Sequence, residues 1–178
     1  MAQETSTRLL SEWTSQAVTR NGIPLNIRPA DPSDRAAVLA FLRTVDSPDL
    51  RFRFLSAVKP SETLARILTD VDHRSVEDLI AFDARDSSIV ATAMIAEGES
   101  QGVAEIAVLV RSDLKARGIG WEMLGQACDY ARARGFGRAE CVESSANEPA
   151  ISLEREQGFT ARIYPGSAEL TILTRDLA

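Results

Sequence analysis

The spacing of hydrophobic residues changes partway along the chain. In the first half, apolar residues recur every three or four positions within residues 37–45 and 61–71, and this spacing predicts two amphipathic helices. A polar turn at residues 31–34 supplies N-cap chemistry for the first of them. The stretch between the helices, residues 51–58, is apolar but fits neither the helical nor the strand period, so its structure is left open.

Short apolar runs separated by turn-like residues dominate the second half, and such runs are typical of strands. Together with an alternating run before the first helix, they predict strands at residues 23–28, 79–82, 89–95, 103–110, 139–142, 159–163 and 169–173. Two further helices interrupt them, one after the loop at residues 111–119 and one at residues 149–157. This order predicts an α/β protein with a mixed sheet of about six to seven strands and helices on both faces.

Residues 1–22 stand apart from this pattern because they are polar overall. Their apolar residues are spaced as on one helix face: Leu9, Leu10, Trp13, Ala17 and Val18. We expect either a short helix packed on the body or on a partner, or a disordered segment. A chain of 178 residues with 44% hydrophobic content suffices for one substantial core. We therefore expect an N-terminal extension over residues 1–22 and a single domain over residues 23–178.

Composition excludes several function classes. A net charge of -6 argues against a protein that neutralises nucleic-acid phosphates, although an acidic surface would suit a basic substrate. The chain shows neither the apolar core of a signal peptide nor a membrane-span-length stretch, so we expect a cytoplasmic protein without a membrane partner. The single histidine and the spacing of Cys128 and Cys141 give no basis for a metal site or a Ser-His-Asp triad.

A glycine-containing loop at residues 115–120 is the clearest candidate for chemistry. It follows a predicted strand and opens a predicted helix, where unpaired backbone N–H groups and the helix dipole favour phosphate. The loop lacks the Gly-Lys-Ser/Thr ending of a nucleotide P-loop, and Met123 replaces the third glycine of a dinucleotide fingerprint. A phosphate site and a mere tight turn both remain open on this pattern alone.

Two segments carry a family resemblance. Residues 108–120 resemble the coenzyme A motif Gln/Arg-x-x-Gly-x-Gly/Ala of the GNAT acetyltransferases, with Lys115 in the first position. Residues 147–153, followed by Gln157-Gly158-Phe159, are similar to the family's Asn-x-x-Ala-Ile-x-Leu...Gly-Phe segment. Within the family, residues 104–115 most resemble bacterial Pat-like protein lysine acetyltransferases, and the likeness covers about residues 25–177. It implies the GNAT fold, with a largely antiparallel sheet.

The resemblance also implies how acetyl-CoA, the co-substrate, would be held. The backbone of Val108, Leu109 and Val110 would meet the pantetheine arm and supply, through a local bulge, an N–H for the oxyanion. Asn147 and Ser152 would line the coenzyme A path. The residues expected around the pyrophosphate are Lys115, Ala116, Arg117, Gly118, Ile119, Gly120 and Trp121.

The expected general base is Glu105, which matches the catalytic glutamate of the lysine acetyltransferases that this chain resembles. A lysine amine, with a pKa of about 10.4, must lose a proton before it can attack. The rival carboxylates, of which Glu143 is the strongest, are Glu97, Glu99 and Glu143. Many family members use a tyrosine seven positions after the asparagine as general acid, but that position is Glu154 here, so the assignment fails. His73 and Tyr164 are interpreted as structural.

The acceptor that the resemblance implies is a protein lysine, for example on metabolic enzymes such as acyl-CoA synthetases. A small-molecule amine on the same scaffold is the alternative, and a coenzyme A-binding regulatory module without turnover is a third possibility. An oligomer is possible, and the sequence does not decide it.

Overall fold

An eight-stranded sheet runs through the structure, a computed structural model that describes residues 13–178. Its strands are β1 (Ser15–Val18), β2 (Pro24–Pro29), β3 (Val76–Asp83), β4 (Ile89–Glu97), β5 (Val103–Val110), β6 (Arg138–Ser144), β7 (Thr160–Tyr164) and β8 (Ser167–Asp176). They lie in the order β1-β2-β3-β4-β5-β6-β8-β7. Every neighbouring pair is antiparallel except β5 and β6, which confirms a mixed, largely antiparallel sheet.

The parallel pair β5–β6 is short. It runs only from Val103 opposite Arg138 to Glu105 opposite Glu140. Beyond this point β5 stays paired with β4 through Val110, and β6 stays paired with β8 through Ser144. The two strands therefore diverge, and a V-shaped gap opens in the middle of the sheet.

Helices cover both faces, as the sequence predicts. They are α1 (Arg35–Leu42), α2 (Ser47–Phe54), α3 (Glu62–Thr69), α4 (Ile119–Ala133) and α5 (Glu148–Glu156). The first three enclose one hydrophobic core, to which β5 contributes Leu109. Helices α4 and α5 cover the other core, to which β5 contributes Ile106. Successive side chains of β5 point to opposite faces of the sheet, so this strand contributes to both cores.

Helix α2 occupies part of the stretch that the hydrophobic pattern left open. Pro48 lies in its first turn, where the missing N–H costs nothing, and only Leu50 is buried. Charged Arg51 and Arg53 interrupt any apolar stripe, so the helical period is invisible in the sequence. The hydrophobic pattern therefore does not predict this helix, which packs into the core through Leu50.

The prediction of a helix or a disordered segment over residues 1–22 is wrong for Ser15–Val18, which forms β1 and pairs with β2. Residues 1–12 lie outside the described part of the chain. Trp13 and Ala17 both pack against the hydrophobic core that α4 and α5 cover. They are four residues apart, a spacing that fits a helix face as well as one face of a strand. The expected boundary after residue 22 falls inside the β1–β2 hairpin, and the sheet has eight strands rather than six to seven.

Acid stability is expected to depend on Asp34. Its carboxylate accepts two hydrogen bonds from Arg28, at 2.7 and 2.8 Å, and a third from the N–H of Asp31 at 2.9 Å. The Arg28 guanidinium lowers the pKa of Asp34, so its contribution is present above the unfolded pKa and is lost as pH falls through the folded one. Asp34→Asn should cost about 1–2 kcal/mol at pH 7.

Urea unfolding at pH 7 and at pH 3 measures this effect, and the gap between wild type and variant should shrink at the lower pH. Asp176→Asn is the matched control, because its ion pair with Arg138 is largely exposed and should contribute little. An equal loss of stability for both variants at pH 7 would contradict the prediction.

Candidate active site

The gap between β5 and β6 forms a cleft of about 450 Å³. Its walls come from β5, β6 and α5, and its open end is bordered by α2 and by the loop that begins α4. The expected site residues that line it are Val108, Leu109, Val110, Lys115, Ala116, Gly118, Gly120, Trp121 and Asn147. Those that do not line it are Glu105, Arg117, Ile119 and Ser152.

The β5 wall presents unpaired backbone groups to the cleft. The N–H of Arg111 donates to the carbonyl of Val90 on β4 at 2.9 Å. Because successive strand residues point their backbone groups alternately, the N–H groups of Val108 and Val110 face away from β4 and into the gap. The expected bulge is not found, since β4 and β5 keep their register through Val110. Divergence from β6 is what exposes this edge.

The start of α4 offers a second set of free backbone donors. Gly118 is its N-cap residue, with a φ of 82° that favours glycine, and it provides no side-chain cap. Within residues 13–178, no protein group accepts a hydrogen bond from the N–H groups of Ile119, Gly120 or Trp121. A Cβ at Gly120 would lie 3.3 Å from Leu153 and 3.5 Å from Val110, so the helix start packs closely between β5 and α5. This geometry suits an anion such as a diphosphate.

The charge around this loop differs from the expectation. Lys115 lines the cleft, but its ammonium is paired with Asp49 of α2 at 2.5 Å, and Arg117 is exposed outside the cleft. Arg20, in the turn between β1 and β2, supplies a cation that the sequence pattern did not indicate. Its guanidinium lies 3.8 Å from the ring centroid of Trp121, which lines the cleft. Only the pairing of β1 with β2 brings Arg20 to this place.

Two carboxyl groups, of which one is half-buried and the other buried, lie on the opposite wall. Glu143 of β6 and Glu154 of α5 both line the cleft, close enough for the charge of Glu143 to act on Glu154. Asn147 donates a hydrogen bond to Glu143 at 2.8 Å. Burial raises the pKa of both carboxyl groups, and it raises that of Glu154 to about 9. Glu143 is the strongest of the rival bases expected from the sequence, and Glu154 occupies the position of the missing tyrosine.

The expected base, Glu105, lies at the vertex of the V, as the last residue of β5 that pairs with β6. It is exposed, and it shares a sheet face with Leu109 rather than with Ile106. The guanidinium of Arg53, which lines the cleft, is close enough to feel the charges of both Glu105 and Glu143. Arg53 thus interacts electrostatically both with Glu105 at the vertex and with Glu143 on the cleft wall. The other rivals, Glu97 and Glu99, are exposed and do not line the cleft.

Two residues interpreted as structural also lie outside the cleft. His73 contacts the buried carboxylate of Glu77 at 3.0 Å, and the hydroxyl of Tyr130 donates to the same carboxylate at 3.0 Å. Tyr164 ends β7 beside the turn to β8. Among residues 13–178, no group of His, Cys, Asp and Glu side chains is arranged to hold a metal ion. The helices in the same range are all too short or too polar to cross a bilayer.

Comparison with known proteins agrees with this geometry. Acetyltransferase PA5475 of Pseudomonas aeruginosa is 27% identical over 149 residues, which are 82% of this chain and 80% of that protein. The GNAT domain of S. lividans PAT superposes with a TM-score of 0.84 at 22% identity, over 92% of this chain and 97% of that one. A phosphinothricin acetyltransferase from Sinorhizobium meliloti, solved in complex with AcCoA, gives a TM-score of 0.70 at 19% identity, covering 86% and 89%.

The family model of the acetyltransferase (GNAT) family matches residues 43–159. This match contains β5, the loop, α4, β6 and α5, and therefore every wall of the cleft. It spans more than half of the 178 residues, and this chain belongs to the acetyltransferase (GNAT) family.

Proposed function

We propose that this GNAT-family N-acetyltransferase transfers the acetyl group of acetyl-CoA to lysine side chains of other proteins, with Glu105 as the general base. The observation that carries the proposal is the exposed position of Glu105 at the vertex of the V. A lysine on the surface of a folded protein can reach a carboxylate in such a place, because its amine stands at the end of a long, flexible stem.

The surroundings of Glu105 favour a cationic acceptor. Glu140 lies directly across from it on β6, and Glu105 and Glu99 both raise the pKa of Glu140, after the larger effect of burial. These three carboxyl groups form an acidic patch at the vertex. An approaching lysine ammonium is attracted there before it is deprotonated.

The cleft offers the groups that acetyl-CoA, the co-substrate of the GNAT family, would need. The free N–H groups at the start of α4 suit its diphosphate, and the exposed edge of β5 suits the amide groups of its pantetheine arm. An arm that runs along β5 from α4 towards the vertex places the thioester close to Glu105. Because acetyl-CoA would enter from the open end of the V, the vertex stays accessible to the acceptor.

The chemistry then follows from the positions of these groups. Glu105 takes a proton from the lysine ammonium, directly or through a water, and the neutral amine attacks the thioester carbonyl. The tetrahedral oxyanion accepts a hydrogen bond from the N–H of Val108 or Val110, both of which face the gap. Collapse of this intermediate breaks the C–S bond and releases the coenzyme A thiolate, which must gain a proton, while the attacking nitrogen loses its extra proton to solvent and becomes the amide N–H.

A small-molecule acceptor is the second candidate, and Arg53 favours it. Two nitrogens of its guanidinium, Nε and one terminal nitrogen, are buried without a hydrogen-bond partner within residues 13–178. The carboxylate of an amino-acid substrate could pair with them. The structural similarity to a phosphinothricin acetyltransferase is consistent with this alternative.

A turnover screen separates the two acceptors. Release of coenzyme A from acetyl-CoA is measured with a panel of folded proteins, lysine peptides, free amino acids and polyamines, and mass spectrometry maps the acetylated positions. Acetylation of specific protein lysines supports the proposal. Turnover with small amines alone contradicts it and supports the second candidate.

Arg20 is expected to strengthen acetyl-CoA binding. Its guanidinium stacks on Trp121 beside the loop that would hold the diphosphate. Arg20→Ala should weaken binding about threefold to tenfold, and the difference should shrink at high salt because the contribution of an exposed cation is screened. Isothermal titration calorimetry at low and high salt measures this, with Arg162→Ala, an exposed residue of β7, as the control. An unchanged affinity at low salt would exclude this role.

A further inference from the structure

The carboxyl group of Glu154 is buried in the folded protein. Its side chain is only 6% exposed, although it lines the cleft. Its atom Oε2 is buried and has no hydrogen-bond partner within residues 13–178. A buried, unpaired polar atom in a reaction cleft is costly, and functional sites are where such costs are commonly found.

The position of Glu154 along the cleft is set by its neighbours on β6. It interacts with Cys141 and with Glu143. Cys141 directly follows Glu140, the last residue of β6 that pairs with β5. Glu154 therefore lies on the wall of the cleft opposite β5, just beyond the point where β6 leaves β5, and its neighbour Leu153 packs close to Gly120 at the start of α4. A thioester held along the β5 wall of the cleft would face the wall that carries Glu154.

The surroundings of Glu154 keep its carboxyl group neutral. Burial and the nearby charge of Glu143 raise the pKa of Glu154 to about 9. Glu143 is the better anion of the pair, because it accepts a hydrogen bond from Asn147 and feels the positive charge of Arg53. At neutral pH the pair thus retains a proton on Glu154.

We propose that Glu154 is the general acid that protonates the coenzyme A thiolate as it leaves. The C–S bond of the tetrahedral intermediate breaks, its electron pair goes to sulfur, and the Glu154 carboxyl proton forms the new S–H bond. Glu154 becomes a carboxylate and regains a proton from solvent through the cleft before the next turnover. The inference rests on acetyl transfer from acetyl-CoA, and it applies whether the acceptor is a protein lysine or a small amine.

The charged and titratable groups around Glu154 are consistent with this role. From β6 it faces Cys141, whose thiol has a raised pKa because it is buried, and Glu143. From α2, Arg53 acts on Glu143. From α4, Cys128 lies behind Cys141, and burial raises its pKa to about 11. Burial thus favours the neutral form of both thiols and makes them weaker acids than Glu154.

The test compares wild type with Glu154→Gln, which keeps the size of the side chain but cannot donate an acidic proton. The acceptor is whichever amine the turnover screen identifies. The kcat should fall about tenfold to a hundredfold, somewhat less than for a typical general acid because a thiolate is a tolerable leaving group. The KM for acetyl-CoA should change less than about twofold. Glu156→Gln, an exposed change on the same helix, is the matched control.

The pH profile of kcat distinguishes a proton donor from a structural residue. Wild type should lose activity above about pH 9 as Glu154 ionises, and this decline should be absent from the residual activity of Glu154→Gln. Equal kcat values for the two proteins, or a decline that persists in the variant, would overturn the proposal. Circular dichroism at each pH shows whether the variant is folded.

A second measurement does not depend on turnover. Difference infrared spectroscopy of the folded protein at pH 7 should show the C=O band of a protonated carboxylic acid that is missing in Glu154→Gln. Absence of this band from wild type would overturn the proposal even if the variant were inactive. If only small amines are acetylated, the protein-lysine proposal fails. The Glu154 test is then carried out with those amines and still decides whether Glu154 is the general acid.

Discussion

Glutamine in place of Glu105 is expected to lower kcat by about 10²–10⁴-fold, the usual contribution of a general base. The variant keeps the side-chain size and the exposed position on β5, so folding should be unchanged. Acetyl-CoA binding should also be unchanged, because Glu105 lies outside the cleft that would hold the coenzyme. Steady-state kinetics with the best acceptor, together with calorimetry of acetyl-CoA binding, measures both quantities.

Two further variants make this result specific. Glu97→Gln, an exposed change at the end of the neighbouring strand β4, should retain full activity. Glu143→Gln tests the strongest rival, which lines the cleft. If Glu143→Gln lost activity and Glu105→Gln kept it, the base would be Glu143 and the proposed mechanism would be wrong.

Alanine at Gly118 is expected to weaken acetyl-CoA binding by about tenfold or more. The φ of Gly118 is 82°, and forcing an L-residue into this region costs about 1–2 kcal/mol. A Cβ here would also lie 3.3 Å from both the backbone nitrogen of Arg20 and the Cβ of Thr19. Relief of this strain displaces the N–H groups at the start of α4, which must converge to hold a diphosphate. Calorimetric titration of acetyl-CoA measures the loss.

Gly125 provides the control for this prediction. It lies within the same helix, and a Cβ there would meet nothing within 4 Å. Gly125→Ala should therefore stabilise the protein by about 0.5–1 kcal/mol and leave acetyl-CoA binding unchanged. Equal binding by Gly118→Ala and wild type would show that the loop does not hold the diphosphate.

The site residues that sequence reasoning identified are those whose function depends on the local backbone. Gly118 and Gly120 open a helix directly after a strand, and both features can be read from adjacent residues. The exposed edge of β5 was expected from the family resemblance. The expected bulge was wrong, because exposure of that edge depends on how far β6 follows β5 across the sheet. Arg20 and Asp49 reach the site from remote elements, and no local pattern could place them there.

The chemistry of Glu154 also depends on the tertiary structure rather than on the local sequence. As a sequence position it is an ordinary glutamate in place of a tyrosine, and an exposed glutamate is ionised at neutral pH and cannot act as an acid. In the folded protein β6 and Glu143 enclose it, and desolvation makes its neutral form the stable one. Its capacity to donate a proton is thus a property of its surroundings and not of its residue type.

The sequence by itself determined the order of strands and helices from β2 onward, apart from α2, and the loop at the start of α4, because hydrophobic spacing and glycine conformation act over a few neighbouring residues. The tertiary structure decided the pairing of β1, the divergence of β5 from β6, the partner of Lys115 and the protonation of Glu154. Each of these depends on contacts between segments far apart in the chain, where burial and charge are set by the complete fold.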